Sequence, residues 1–299
     1  MGVCMRGLVA ILGGAAIAAG LAASSASSAP AAHASTAKPA LSTAIVPPPT
    51  AATTATAPAA KTALQGYLSA AQTPDAIHLL GPPPAAGSGA KTGDVATYEA
   101  TRLLEGSERW VLAAHDAVFG ADAMLQDFSC ALGVELTPAR APVLRRMLER
   151  MALDADAVEG AAKRYYRRPR PFVENGGPIC VEAEDWLRRS YSYPSGHSTY
   201  SWAVGMALAE IAPDRAEPVL ARARAYAESR VVCGVHYESD IQAGRITATA
   251  VFTALKADAA FRRDLAHARL ELKRLRVRPA PPPPEECRVE ALAEATPVW

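Results

Sequence analysis

From about Asp94 to Ala268 the chain is rich in Ala, Leu, Glu and Arg, and its apolar residues recur three and four apart, as at Leu103, Leu104, Val111 and Leu112. That is the composition and period of amphipathic helices, and no stretch alternates convincingly as a half-buried strand would. Further runs of the same kind cover Ala141–Lys163, His197–Ile211, Ala216–Val232 and Tyr237–Leu255, separated by connections that contain Pro or Gly. Helices of this length on short loops can bury one shared core, so the expected fold is all-α, a single-domain helical bundle. The apolar faces around Trp202, Val204 and Met206, or Ile246 and Val251, are read as packing.

The ends of the chain differ in kind. Arg6 opens a short positive start, an apolar stretch follows from Gly7 to Ala23, and Ala32-His33-Ala34 offers a small-x-small site before Ser35. Residues 1–34 therefore read as a cleaved secretory signal, preferred to a permanent anchor because the stretch is rich in Ala and Gly rather than Leu. Residues 35–75 begin as almost pure Ala, Thr, Pro and Ser, with Pro47-Pro48-Pro49, and are expected to be a flexible linker with too little bulky apolar surface to offset ordering. The folded domain is expected over 76–278. Residues 279–299 form a Pro-rich start and a C-terminal tail without strong pattern, laid on the surface or loose.

The sequence carries 31 Lys+Arg against 30 Asp+Glu, and loss of Arg6 with the signal leaves equal numbers of each. Such a balance lacks the electrostatic footprint of a nucleic-acid binder, and a mean hydropathy of +0.04 with no second long apolar run argues against a polytopic membrane protein. No stable membrane insertion is expected after signal removal, and the location is expected to be periplasmic or secreted. Export also changes how cysteines read: Cys4 leaves with the signal, and Cys130, Cys180, Cys233 and Cys287 remain in an oxidising compartment. Two disulfides in any of three pairings, or small buried thiols, are compatible with that count. No Cys or His spacing suggests zinc, and no metal or cofactor is expected.

Three clusters carry chemistry. In Lys163-Arg164-Tyr165-Tyr166-Arg167-Arg168-Pro169-Arg170-Pro171 the prolines end a helix and fix an extended segment that can aim an Arg inward, where a guanidinium fork suits phosphate oxygens. Tyr193-Pro194-Ser195-Gly196-His197 directly precedes an apolar helix. A helix start leaves backbone N–H groups unpaired with the positive dipole end behind them, which is an anion cradle; Gly196 permits close approach, Ser195 offers a hydroxyl, and His197 stands at the rim. In Ser229-Arg230 followed by His236-Tyr237-Glu238-Ser239-Asp240, His236 and Asp240 lie four apart, so on a helix they share a face. A carboxylate there fixes the imidazole tautomer, and Arg230 adds a cation. Each cluster alone is more often a solvated face, an ordinary cap or a surface pair; together they supply cations, an anion-binding helix start and two histidines, which suits phosphoryl transfer without a metal.

Lys163, six residues, then Arg170-Pro171; Pro194-Ser195-Gly196-His197; and Ser229-Arg230, five residues, His236, three residues, Asp240 resemble the three-part signature of the type 2 phosphatidic acid phosphatase superfamily. Only Arg170-Pro171, and not Arg168-Pro169, gives the six-residue gap from Lys163. Leu79-Leu80-Gly81-Pro82-Pro83-Pro84, Tyr98, Arg102-Leu103-Leu104, Glu108-Arg109, Ser192-Tyr193 and Cys233-Gly234 look like one branch, the bacterial class A nonspecific acid phosphatases. The resemblance covers roughly residues 76–270; Tyr191 departs from it where Gly is expected, and the linker and tail look additional. A Cys180–Cys233 bridge is a guess beside that resemblance, with Cys130 and Cys287 left as the second pair.

The resemblance implies a metal-independent acid phosphatase in which nucleophilic His236 becomes a phosphohistidine, Asp240 holds it, and His197 protonates the leaving alkoxide. Lys163, Arg170, Arg230, Ser195 and the Gly196 N–H would grip phosphate. Small phosphomonoesters such as nucleotides, sugar phosphates or aryl phosphates are the implied substrates, with phosphotransfer to alcohols open and a homodimer unsurprising. Two alternatives remain at this level: a vanadium-dependent haloperoxidase, since the superfamily holds vanadate in the same constellation, and a lipid-phosphate phosphatase at a membrane surface. His33, His78, His115 and His267 read as linker or surface residues, and Glu108 and Asp116 receive no role.

Overall fold

A computed structural model describes residues 63–296 and Val298. The expected signal over 1–34 and most of the expected linker lie outside the described residues. Thirteen α-helices are present among the described residues and no strand: α1 (Ala76–Leu80), α2 (Gly89–Arg102), α3 (Glu108–His115), α4 (Ala121–Asp127), α5 (Ser129–Leu132), α6 (Pro142–Tyr166), α7 (Pro171–Asn175), α8 (Asp185–Arg189), α9 (Gly196–Ile211), α10 (Ala216–Val232), α11 (Glu238–Ala257), α12 (Ala259–Val277) and α13 (Pro284–Ala295). The four long periodic runs become α6, α9, α10 and α11, with ends displaced by at most a few residues.

Helix α9 is the central post, packed against α6, α10, α11 and α12. Tyr200, Ala203, Val204, Ala207 and Leu208 are all buried along it, as a helix surrounded by others requires. Val251 joins the same core and Trp202 and Met206 pack at its margin, whereas Ile246 is half-exposed. Leu103 and Val111 also depart from the packing read from their spacing. The chain turns between α2 and α3, so Leu103 falls in the turn and both side chains are exposed while Leu112 is buried. Among the described residues no helix is long and apolar enough to cross a membrane.

Both ends of the described chain are more ordered than composition suggested. Tyr67 is buried, its backbone N–H and that of Leu68 donate to the Asp154 carboxylate at 2.8 and 3.0 Å, and its hydroxyl donates to Asp264. The packed domain thus begins no later than Tyr67, rather than at 76. At the other end Pro284, at the first helical position where a missing N–H costs nothing, starts α13 instead of prolonging a loose tail. That helix packs on α3, α5 and α10, buries Glu290, and is bound through Cys130–Cys287; the second disulfide is Cys180–Cys233.

Candidate active site

The three clusters meet where the end of α6, the start of α9 and the α10–α11 connection converge. Lys163 lies in the last turn of α6 and pairs with Glu159 four residues back at 2.6 Å. The helix stops because Arg167 turns left-handed, with φ of 51°, and Arg168-Pro169-Arg170 then runs inward. The two Arg-Pro arginines divide the work. Arg168 is buried between Asp94 and Asp240, 2.6 Å from each carboxylate, and is therefore spent on structure. Arg170 donates through Nε to Ser190 Oγ at 2.9 Å and through Nη1 to the Val235 carbonyl at 2.9 Å, and the same Nη1 lies 3.2 Å from His236 Nε2.

Ser195 caps α9, its hydroxyl accepting from the Ser198 N–H at 3.3 Å, while its own N–H donates to the Asp240 carbonyl at 3.0 Å. The N–H groups of Gly196 and His197 then remain as the open donors of the helix start. A Cβ at Gly196 would stand 2.7 Å from Glu159 Oε1 and 3.2 Å from Lys163 Nζ, so glycine lets α9 begin against that ion pair without displacing it. Gly244 does the same on the other side. A Cβ there would stand 2.8 Å from the Ser195 carbonyl oxygen, and its absence lets α11 bring Asp240 up to the start of α9.

His236 sits just before α11, whose third residue is Asp240. Asp240 Oδ2 accepts from the Tyr237 N–H at 2.8 Å and lies 3.5 Å from His236 Nδ1. Arg170 can only donate, so the His236 Nε2 that faces it carries the lone pair and the proton resides on Nδ1, towards the carboxylate. His197 is fixed by the same logic: its Nε2 faces the Ala117 carbonyl at 3.2 Å and must be the protonated nitrogen, leaving Nδ1 unengaged by that contact. Arg230 is buried, and neither its Nε nor its Nη1 has a hydrogen-bond partner among the described residues. Orphaned guanidinium donors in an interior are costly, and they suit a bound anion.

The charges act on one another. Burial pushes both imidazoles well below the ordinary histidine value; Arg230 adds to this at His197, and Arg170, Lys163 and Arg230 add to it at His236. Burial and the neighbouring Arg230 bring Arg170 down to about 10. Burial pushes the Asp240 carboxyl up, and Arg168 with the Tyr237 amide pulls it back. The site thus gathers buried cations around histidines that burial keeps neutral, a balance suited to a phosphate dianion.

Behind the site lies a network with no local signature in the sequence. Asp116, which received no role from its position in the chain, is fully buried and takes a two-pronged contact from Arg222, at 2.6 and 3.1 Å. It also accepts from the Ser229 hydroxyl at 2.5 Å, and Ser229 accepts from Arg109 at 2.8 Å. The network therefore ties the residue before Arg230 to the residue before Ala117, which holds His197. His115, read as a plain surface residue, is half-exposed but places Nδ1 3.2 Å from Asp127. Asp116 and Asp127 raise it to about 10, so it stays protonated. Although His115, Asp116 and Asp127 each bring a ligand-type atom within 4.8 Å of the others, the protonated imidazole and the Arg222 contact make this an ion-pair network rather than a cation site.

The PAP2 superfamily pattern matches residues 145–264, which contain all three clusters. Over 221 residues the chain is 41% identical to an acid phosphatase of Zymomonas mobilis, spanning 73% of this chain and 83% of that one. It is 38% identical over 212 residues to a non-specific acid phosphatase of Providencia stuartii, covering 70% of this chain and 86% of that one. A non-specific acid phosphatase of Salmonella typhi is 34% identical over 211 residues, covering 70% and 84% respectively.

Proposed function

As the chain belongs to the PAP2 superfamily and is an acid phosphatase, we propose that it hydrolyses small phosphomonoesters through a phosphohistidine on His236, with no metal in the chemistry. The observation that carries this reading is the placement of His236, whose Nε2 lies 3.2 Å from the donor-only Arg170 Nη1 while Nδ1 lies 3.5 Å from Asp240 Oδ2, a setting that favours the tautomer with the lone pair on Nε2. An imidazole held in that tautomer is a nucleophile aimed at whatever anion Arg170 binds.

The ester's phosphoryl oxygens take the donors of Arg170, Arg230, Lys163, Ser195 and the Gly196 N–H, in place of a metal ion's charge. Nε2 of His236 attacks phosphorus and the bond to the leaving oxygen breaks. His197 gives its Nδ1 proton to that oxygen; burial first, and the neighbouring Arg230 after it, disfavour the charged imidazole, and the substrate dianion opposes both by favouring a cation beside it. The nitrogen–phosphorus bond is then broken by water, which loses its proton to His197, and phosphate leaves. An alcohol in place of water would give phosphotransfer. The two disulfides accord with an exported enzyme acting in an oxidising compartment.

Replacing His236 with Ala abolishes turnover under this reading, a chelator leaves the wild-type rate unchanged, and His197→Ala enzyme quenched in alkaline denaturant, where a phosphohistidine survives, retains labelled phosphate on protein. Turnover by His236→Ala, or loss of rate on chelation, would overturn it.

A further inference from the structure

The loop from Asp116 to Gly120, between α3 and α4, lies directly on His197 and is pinned along its length. The Ala117 carbonyl accepts from His197, the Val118 carbonyl accepts from the Tyr226 hydroxyl at 3.2 Å, and the Phe119 ring rests against Tyr200 with centroids 5.1 Å apart. The Phe119 ring also meets the His197 imidazole, at 4.9 Å between centroids and 62° between planes. Yet Phe119 is 48% exposed, and the neighbouring Val118 is 61% exposed. A fixed aromatic ring that leaves about half its surface to solvent contributes little to the core; what distinguishes it is its place beside one particular imidazole.

We infer that Phe119 is a specificity-determining residue, a fixed platform that receives an aromatic ring on the leaving alcohol. The inference rests on the reading in which His197 protonates the leaving oxygen. An in-line displacement by His236 sends the leaving group out on the opposite side of phosphorus, the His197 side. The carbon skeleton attached to that oxygen therefore passes Phe119, and an aromatic ring within a few bonds of it can pack on the exposed part of the phenyl ring. Esters of aryl alcohols and of nucleosides have such a ring, and esters of simple sugars do not.

Adenosine 5′-monophosphate and ribose 5-phosphate test this cleanly, because both lose phosphate from the same primary ribose oxygen and differ in the base. In the full-length enzyme, Phe119→Ala is expected to lower the ratio of kcat/KM for the nucleotide over the sugar phosphate by about threefold to tenfold, the worth of one aromatic pair. Most of the change falls in KM, the rate on ribose 5-phosphate stays within about twofold of wild type, and Phe119→Tyr restores the ratio. An equal loss on both substrates would mean that Phe119 only supports His197 and would overturn the inference, as would an unchanged ratio in an active Phe119→Ala enzyme. Wild-type enzyme that released phosphate from neither substrate would instead refute the phosphatase reading and take the platform with it.

Discussion

Replacing Asp240 with Asn tests the arrangement of the nucleophile most directly, because the change is nearly isosteric and its consequences follow from three contacts. Asp240 Oδ1 accepts from Arg168 at 2.6 Å, Oδ2 accepts from the Tyr237 N–H at 2.8 Å, and Oδ2 faces His236 Nδ1 at 3.5 Å. All three neighbours are donors. An amide in this position must turn its NH2 either onto the Arg168 guanidinium or onto Tyr237 and His236, and each choice sets donor against donor. The second choice favours the imidazole tautomer with its lone pair on Nδ1, which puts a proton on Nε2 against Arg170 and removes the nucleophile. Amidation of a histidine-orienting carboxylate costs roughly 10⁴-fold in kcat in the best-studied triad. The 3.5 Å contact here is longer than a normal hydrogen bond, so a loss of about 10³-fold is expected. Stability falls as well, but Arg168 keeps Asp94, which places the cost near the lower end of the range for a broken buried pair, about 3 kcal/mol. In a domain of this size that lowers Tm by roughly 6–12 °C. Steady-state phosphate release from a soluble nucleotide at 20 °C, with a thermal melt of the same preparation, reads both quantities. An Asp240→Asn enzyme within tenfold of the wild-type kcat, whatever its Tm, would refute the assignment of Asp240 as the group that fixes His236.

Arg230 gives the opposite sign on stability: Arg230→Met removes a buried charge whose Nε and Nη1 have no partner, so the variant melts several degrees higher, about 1–3 kcal/mol more stable, yet is inactive. Inorganic phosphate should raise the wild-type Tm and leave that of the variant unmoved; a variant that melts lower contradicts the idea of orphaned donors. Burial pushes Glu290 up from 4.5 to about 7 despite Arg222, so the folded state holds a proton there that the unfolded chain has lost. Stability from this group is whole below about pH 4.5 and lost as pH rises to about 7, a change of roughly 3 kcal/mol. Urea unfolding at several pH values should show Glu290→Gln gaining on the wild type across that window, and a difference that does not vary with pH would count against it. The Cys130–Cys287 bridge spans 157 residues, so replacing both cysteines with Ser is expected to cost about 3–5 kcal/mol by loop-closure entropy, seen as a lower urea midpoint. A loss under about 1 kcal/mol would show that α13 docks without its tether.

Much of the fold was legible because it rests on local pattern. The 3.6-residue period of α6, α9, α10 and α11 is written in consecutive residues, and so are the prolines after Tyr166 and the Ser195 cap. Each of the three clusters was equally legible, since each occupies a short stretch and its internal spacing fits one turn or helix end. Burial was less so. Leu103 and Val111 have the spacing of a core face, but the turn between α2 and α3 breaks the helix that would have buried them. The helix α13 was missed because a twelve-residue segment with weak amphipathicity takes its stability from what it docks on and from Cys130, neither of which lies nearby in the chain.

What the sequence determined by itself is the set of parts: helices from periodicity, a phosphate-type anion site from Lys163, Arg170 and the start of α9, and a histidine with a carboxylate one turn away. What only the tertiary structure decided is how those parts are set against each other. Two neighbouring arginines, chemically alike in the chain, were assigned opposite tasks by where the extended segment passes, Arg168 to Asp94 and Asp240, Arg170 to His236. Asp116, Arg222 and Ser229, spread over more than a hundred positions, became one buried network, and Phe119 came to lie on His197. The physical reason is range: helix propensity and capping act over a few residues, whereas desolvation, ion pairing and ring contact act across space, between residues that only folding brings together.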